Sequence, residues 1–235
     1  MSFPLTGTAY LILFVALGFL ALRFFQYWRK KKDITSKLFL LIVLPLVLFA
    51  LVRAVSVLFF VWNPSVLKGS ITLVAFLESL SAAVVAYFIT YSRFPKISPW
   101  LGFTVILFFG FVITAFSANI QYQPTLEEKG VIDWGFPSGG ANAVYPLLRL
   151  IVILVTFIPL IVILFQQFLR SQDGFIRRRT LGLSLVLFLG IILGSIDFVF
   201  NNILGLKAAI YRDYTTIVMG FLIFMIVLFT QKPSN

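Results

Sequence analysis

The sequence predicts an all-α membrane protein: a seven-transmembrane helix bundle in a single domain, residues 1–235, N-out and C-in, with an extracellular β-hairpin between the fourth and fifth helices. Three observations carry that prediction. Hydrophobic residues make up 60% of the chain and charged ones 11%, at a mean hydropathy of +1.04, which leaves too few polar side chains to coat a soluble domain. Apolar runs at roughly 9–28, 38–61, 71–91, 99–118, 146–168, 180–200 and 214–230 are each close to or above the roughly 20 residues that cross a bilayer. Threaded from an outer N-terminus, the connecting segments hold thirteen Lys and Arg on the inside and four on the outside, the asymmetry that sets orientation.

Taken in order, the first run has no basic residue before it and Arg23, Arg29, Lys30, Lys31 and Lys32 within or after its end, the pattern of an uncleaved anchor. Pro45 and Pro159 fall inside the second and fifth runs, where a membrane helix tolerates a kink. The fourth and fifth runs are joined by the long outer segment 119–145. Within it Asn119–Gln123 and Val131–Phe136 alternate in character around Glu127-Glu128-Lys129-Gly130, predicting a hairpin over about 119–136 with Gly130 at positive φ. The sixth run carries Gly182, Ser184, Gly190, Gly194 and Ser195, and the Gly190 to Gly194 spacing serves close helix contact within the bundle or between copies.

The stretch Pro137-Ser138-Gly139-Gly140 looks like part of a lipid-phosphatase motif, but that chemistry requires histidines and the chain has none. It is better explained as a turn, with Ser138 or Asn142 capping the fifth helix. The absence of histidine and of cysteine removes the commonest proton shuttle, metal ligands and thiolate chemistry. No catalytic constellation, metal site or cofactor site is expected, and the protein is not expected to be an enzyme. Retinal would need a lysine within the last helix, and Lys207 precedes it. The net charge of +11 follows from the topology, so the partners it implies are membrane lipids and not nucleic acid.

Four ionisable residues interrupt the apolar runs: Arg53, Glu78, Arg149 and Asp197. Charges at such positions are expensive toward lipid and are expected to face the bundle interior. At about 1.5 Å per residue all four fall about 5–12 Å below the outer ends of their runs. They predict an outer polar layer joined by Tyr145 and Asn201, with Ser81 and Asn202 close by. Such a layer is either a small-molecule pocket open to the outside or an internally neutralised network that fixes helix packing.

The order of these features resembles the N-terminal seven-helix sensor module of bacterial histidine kinases and diguanylate cyclases. The resemblance is carried by Trp28-Arg29-Lys30-Lys31-Lys32 after helix one, Phe76-Leu77-Glu78 and the Tyr87-Phe88 to Tyr91-Ser92-Arg93 run in helix three, and Trp134-Gly135-Phe136 in the hairpin. Ile176-Arg177-Arg178-Arg179 opens helix six, Asn201-Asn202 closes it, and Asp213-Tyr214-Thr215-Thr216 starts helix seven. Phe49 stands where that family often has tryptophan, Thr216 where it often has proline, and no output domain follows Gln231–Asn235. The resemblance implies a sensory receptor-like module in a bacterial inner membrane; with the outer polar layer as its pocket, a small or lipid-like ligand is expected at Arg53, Glu78, Arg149, Asp197, Tyr145 and Asn201. It implies signalling through a kinase or cyclase partner or a homodimer. A small transporter or channel, and a structural subunit of a membrane complex, are the alternative readings.

Overall fold

In a computed structural model, residues 4–127, 130–135, 144–198 and 209–230 are described, apart from the side chains of residues 194 and 196–198. Among them the chain forms seven helices: α1 (Leu5–Lys31), α2 (Ile34–Phe60), α3 (Pro64–Arg93), α4 (Pro99–Asn119), α5 (Val144–Arg170), α6 (Gly174–Phe198) and α7 (Ala209–Thr230). The other regular element is a two-stranded antiparallel ladder of β1 (Thr125–Leu126) and β2 (Ile132–Asp133). All of the helices but α6 are long and apolar enough to cross a membrane. α6 opens on Arg177, Arg178 and Arg179, and its apolar part continues into residues whose side chains lie outside the described set.

The helices overrun the apolar stretches because polar residues terminate them. Lys32 adopts a left-handed conformation (φ 48°) and donates its N–H to the Trp28 carbonyl at 2.7 Å. Arg29, Lys30 and Lys31 lie in that last turn, where the carbonyl end of the helix favours cations. Asp33 then caps α2, accepting from Thr35 N at 3.2 Å and Ser36 N at 3.0 Å. Burial opposes the charge on Asp33, but the backbone and hydroxyl hydrogen bonds of Ser36, that of Thr35, and the Arg179 charge outweigh it and hold the carboxyl below its ordinary pKa. A depressed folded-state pKa contributes stability above the ordinary carboxylate pKa that is lost as pH falls through the depressed value. Asp33→Ala is therefore expected to lose about 1 kcal/mol at neutral pH. Thermal midpoints of the two proteins should converge on acidification, and equal midpoints at pH 7 would show that the cap contributes nothing.

Sequence neighbours pack side by side, and α7 returns to α1. The result is a ring of α1, α2, α3, α5, α6 and α7, with α4 outside it against α3 and α5. Glycine sets the α3–α4 approach, since a Cβ on Gly110 would stand 2.5 Å from Ser79 Cβ and one on Gly102 would stand 2.5 Å from Thr90 Oγ1. α4 exposes Trp100, Phe108 and Phe111, a surface suited to lipid, while Trp100 and Phe111 also touch Tyr87 and Phe76 of α3. Gly182 abuts Thr230 of α7, whereas a Cβ on Gly190 would meet nothing within 4 Å. The Gly190 to Gly194 spacing thus makes no close helix contact at Gly190, and Gly194 lies outside the described side chains.

At the end of the bundle where α1 meets α2, Arg179 lies over the rings of Tyr27 (4.5 Å) and Phe24 (5.3 Å) and donates to Ser36 Oγ at 3.2 Å. That one guanidinium joins α6 to α1 and α2. On the same side Arg93 of α3 donates to Gln166 Oε1 of α5 at 2.6 Å.

The ladder occupies the opposite end. Thr125 pairs with Asp133 and Leu126 with Ile132, and Glu127 N donates to the Val131 carbonyl at 2.7 Å. β2 falls within the expected Val131–Phe136 strand, but the first strand is not Asn119–Gln123. α4 continues through Asn119, the Tyr122 N–H turns back onto the Ile120 carbonyl at 3.1 Å, and pairing begins only after Pro124, which has no N–H to give. Gly130 has φ 71°, and a Cβ there would lie 2.6 Å from Pro4 Cα. Glycine is required at this position both for the conformation and for the approach to the start of α1. Pro137, Ser138, Gly139, Gly140 and Asn142 lie outside the described residues.

Candidate functional site

The apolar run of α3 is broken by Glu78 and that of α5 by Arg149, and the two side chains meet. Arg149 Nε and one terminal nitrogen donate to the two Glu78 carboxylate oxygens, each at 2.5 Å, in a parallel fork. Their side chains are 20% and 15% exposed, so each charge is largely withdrawn from solvent and depends on the other. α3 begins at Pro64, capped by Asn63, seven residues before the apolar run was expected to start. Glu78 accordingly lies about 21 Å along its helix, near the middle and deeper than the sequence implied.

The other predicted residues divide. Arg53 is buried on α2 and sits with its guanidinium carbon 3.8 Å from the centre of the Trp134 ring, which follows β2. It serves the ladder and does not line the space beside Glu78 and Arg149. A flat guanidinium stacks readily on an indole face, which ties α2 to the segment that follows β2. Tyr145 is buried edge-to-face on Tyr122 at 6.4 Å, and Tyr122 shares a 3.2 Å hydrogen bond with Ser117 Oγ. Burial pushes the Tyr122 phenol up, so it stays protonated. Ser81 donates to the Ile42 carbonyl at 2.8 Å and joins α3 to α2. The Asp197 side chain and Asn201 with Asn202 lie outside the described residues.

A second charged cluster was not anticipated. Arg212 and Asp213 are 4% and 0% exposed at the start of α7. Arg212 Nε donates to Asp213 Oδ1 at 2.9 Å, and its terminal nitrogen donates to the Ile132 carbonyl of β2 at 2.8 Å. Thr6 of α1 donates to Asp213 Oδ2 and accepts the Ile132 N–H at 2.9 Å. Both backbone groups of Ile132 are thereby clamped to α1 and α7. The sequence signal was weak: Arg212 counted as an outer-segment residue and Asp213 as the first residue of helix seven, and only the extension of α7 back to Ala209 carries them indoors.

Inside the ring lies a cavity of about 170 Å³ lined by all six of its helices. On α6 the lining residues are Leu183, Val186, Leu187, Gly190, Ile191 and Leu193, the first five spaced i, i+3, i+4, i+7, i+8 along one inward stripe, with Gly190 the gap in its wall. On α1 the stripe is Tyr10, Leu13, Leu17 and Leu20. Among the described residues the charged lining groups are Glu78, Arg149 and Arg212, and the rest is predominantly apolar, the composition of a small-molecule site. Among the described residues no group of three acidic side chains converges as a metal site would require. No family model matches this chain, and no curated protein matches it.

Proposed function

We propose that this is a receptor-like membrane module, spanning seven times with its N-terminus and the ladder outside, that binds a small or lipid-like molecule within the helix ring. It would signal through a partner protein and carry out no catalysis. The observation that carries this reading is the interhelical cavity with its charged groups on Glu78, Arg149 and Arg212. Arg212 is at once part of the cavity wall and the donor that holds β2 through the Ile132 carbonyl. An occupant that draws on this guanidinium in one arrangement and not in another shifts the population of ladder-held and ladder-released states. The basic residues around Lys30–Lys32, Arg93, Arg170 and Arg177–Arg179 lie at the opposite end, which supports an inner face there and contact with anionic lipid headgroups. A bacterial inner membrane and a kinase or cyclase partner are part of the same proposal and rest on the resemblance in layout.

A transporter or channel would need polar groups along the whole path. The cavity wall around Leu20, Phe39, Ile42, Val43 and Leu183 is instead apolar, which favours a binding space over a through-path. The test is a thermal-shift screen of the purified chain against lipids, carboxylates and peptides, repeated on Gly190→Leu, whose side chain starts from a Cβ with nothing within 4 Å and extends into the cavity. Compounds that raise the midpoint of the parent are expected to lose that effect in the variant. Hits that persist unchanged would place binding elsewhere.

A further inference from the structure

The basic end of the bundle carries a cation that the fold leaves without a counter-charge. Arg23 follows the uncharged stretch from Leu5 to Leu22 of α1, which at about 1.5 Å per residue is about 27 Å long, close to the roughly 30 Å of hydrocarbon in a bilayer. It therefore stands at one edge of the apolar layer, about 9 Å along the helix before Arg29 and the other cations of the last turn. Arg23 is half-buried, with its guanidinium carbon 4.8 Å from the centre of the Phe19 ring. Among the described residues it forms no ion pair, and its buried Nε has no hydrogen-bond partner. A cation in such a place is costly until an anion reaches it.

Three helices meet around it. Phe19 packs on Phe224 of α7 at 5.3 Å, and a Cβ on Gly220 would stand 2.9 Å from Ile12 Cγ2, so α1 and α7 run in the same direction. That register brings Thr230, at the described end of α7, to about the depth of Arg23 and Tyr27. Tyr27, one turn beyond Arg23, lies within electrostatic reach of both Arg23 and Arg179, and Arg179 of α6 stacks on its ring. Two positive charges thus stand beside one phenol. The nearby acids are already engaged: Asp33 caps α2, and Asp173 caps α6 by accepting from Phe175 N at 2.7 Å. Across residues 23–37 and 170–179 ten Lys and Arg stand against these two acids, so this face keeps a large positive excess.

Depth separates Arg23 from the rest of that excess. Arg29, Lys30 and Lys31 project at the helix end, within reach of water and of any soluble acid. Arg23 lies deeper, between the exposed, lipid-facing Leu22 and Phe25 in the chain, where the anion within reach is a lipid phosphate. We propose that Arg23, with Tyr27 and Arg179 beside it, is the headgroup site of one anionic phospholipid of the inner leaflet, its phosphate held by the Arg23 guanidinium at the described end of α7. The planar fork offers paired donors to two phosphate oxygens. A lipid held there ties together the ends of α1, α6 and α7. The inference rests on the orientation in the reading above and not on what the cavity binds.

The experiment titrates the purified full chain, in a neutral detergent, with phosphatidylglycerol or phosphatidylcholine and counts bound lipid by native mass spectrometry. The parent is compared with Arg23→Gln and with Lys30→Gln/Lys31→Gln. The first phosphatidylglycerol should bind the parent about tenfold more tightly than phosphatidylcholine, and Arg23→Gln should lose about that factor, the worth of one charge-assisted hydrogen bond. Diffuse attraction, at about fivefold for each basic residue, demands instead that the double variant lose more than Arg23→Gln. That order overturns the inference, as does a phosphatidylglycerol preference that survives Arg23→Gln. Inorganic phosphate and glycerol phosphate in large excess should leave the lipid bound; displacement by either would make the ligand a soluble phosphate and overturn the lipid source. With phosphatidylcholine alone, Arg23→Gln should be at least as heat-stable as the parent, since it removes an unpaired charge, and phosphatidylglycerol should raise only the parent's midpoint. Arg23→Met, which keeps an apolar stem against Phe19, carries the same comparisons if the amide fails to fold. The chain has no cysteine, so the orientation is tested separately: Lys31→Cys in right-side-out vesicles should react with an impermeant maleimide only after the membrane is opened. Labelling from outside would refute the inner leaflet and the orientation together, whereas loss of the Arg23 effect alone leaves the receptor reading to its own Gly190 screen.

Discussion

Asp213→Ala is expected to destabilise the protein by about 3–5 kcal/mol and to release β2 from the helices. Asp213 is fully buried, and its carboxylate accepts from both Arg212 and Thr6. Removing it leaves the Arg212 guanidinium, itself 4% exposed, without its adjacent counter-charge. It also leaves the Thr6 hydroxyl free to turn away from Ile132. The readouts are the thermal midpoint in detergent and amide exchange at Ile132, whose N–H goes to Thr6 Oγ1. Thr6→Val separates the two parts: it keeps the shape and the buried ion pair but removes the acceptor, so exchange at Ile132 should accelerate by about tenfold for a loss of about 1.5 kcal/mol. Unchanged exchange in both variants would mean that the ladder is held by something other than this clamp.

Glu78→Gln is expected to have a comparable effect, about 3 kcal/mol, for a related reason. The amide retains one acceptor for Arg149 but not the charge, and the guanidinium stays largely withdrawn from solvent in the middle of the bundle. Removing both charges in Glu78→Gln/Arg149→Met should cost less than Glu78→Gln alone, because the penalty lies in the uncompensated cation. A double-mutant cycle by thermal or denaturant unfolding decides it. If the single substitution falls within about 0.5 kcal/mol of the parent, water in the cavity already solvates Arg149 and the pair is not structural.

The helical architecture was legible in the sequence because lipid and apolar side chains impose it locally. Each apolar run had to satisfy its own backbone hydrogen bonds, and a helix does so within the segment. The ends of those helices were less legible, since caps such as Asn63 and Asp33 and the first turn of α7 are polar and resemble loop. The pairing of Glu78 with Arg149 follows the expectation that opposite intramembrane charges seek each other. Arg212 obeys the same rule with its neighbour Asp213, but its second contact, the Ile132 carbonyl, and the stacking of Arg53 on Trp134 did not follow from it. An aromatic ring and a backbone carbonyl can each receive a guanidinium, and neither registers as a charge in the sequence.

The sequence by itself determined that most of this chain is apolar helix and that a few charges are confined among those helices, because both facts follow from composition and spacing. Only the tertiary structure decided which of those charges meet, that α4 stands outside the ring, and that Gly190 faces a cavity and not a neighbouring helix. These depend on helix rotation, tilt and depth. An apolar surface around nearly the whole of each helix leaves them open until close packing and the few polar contacts select one arrangement.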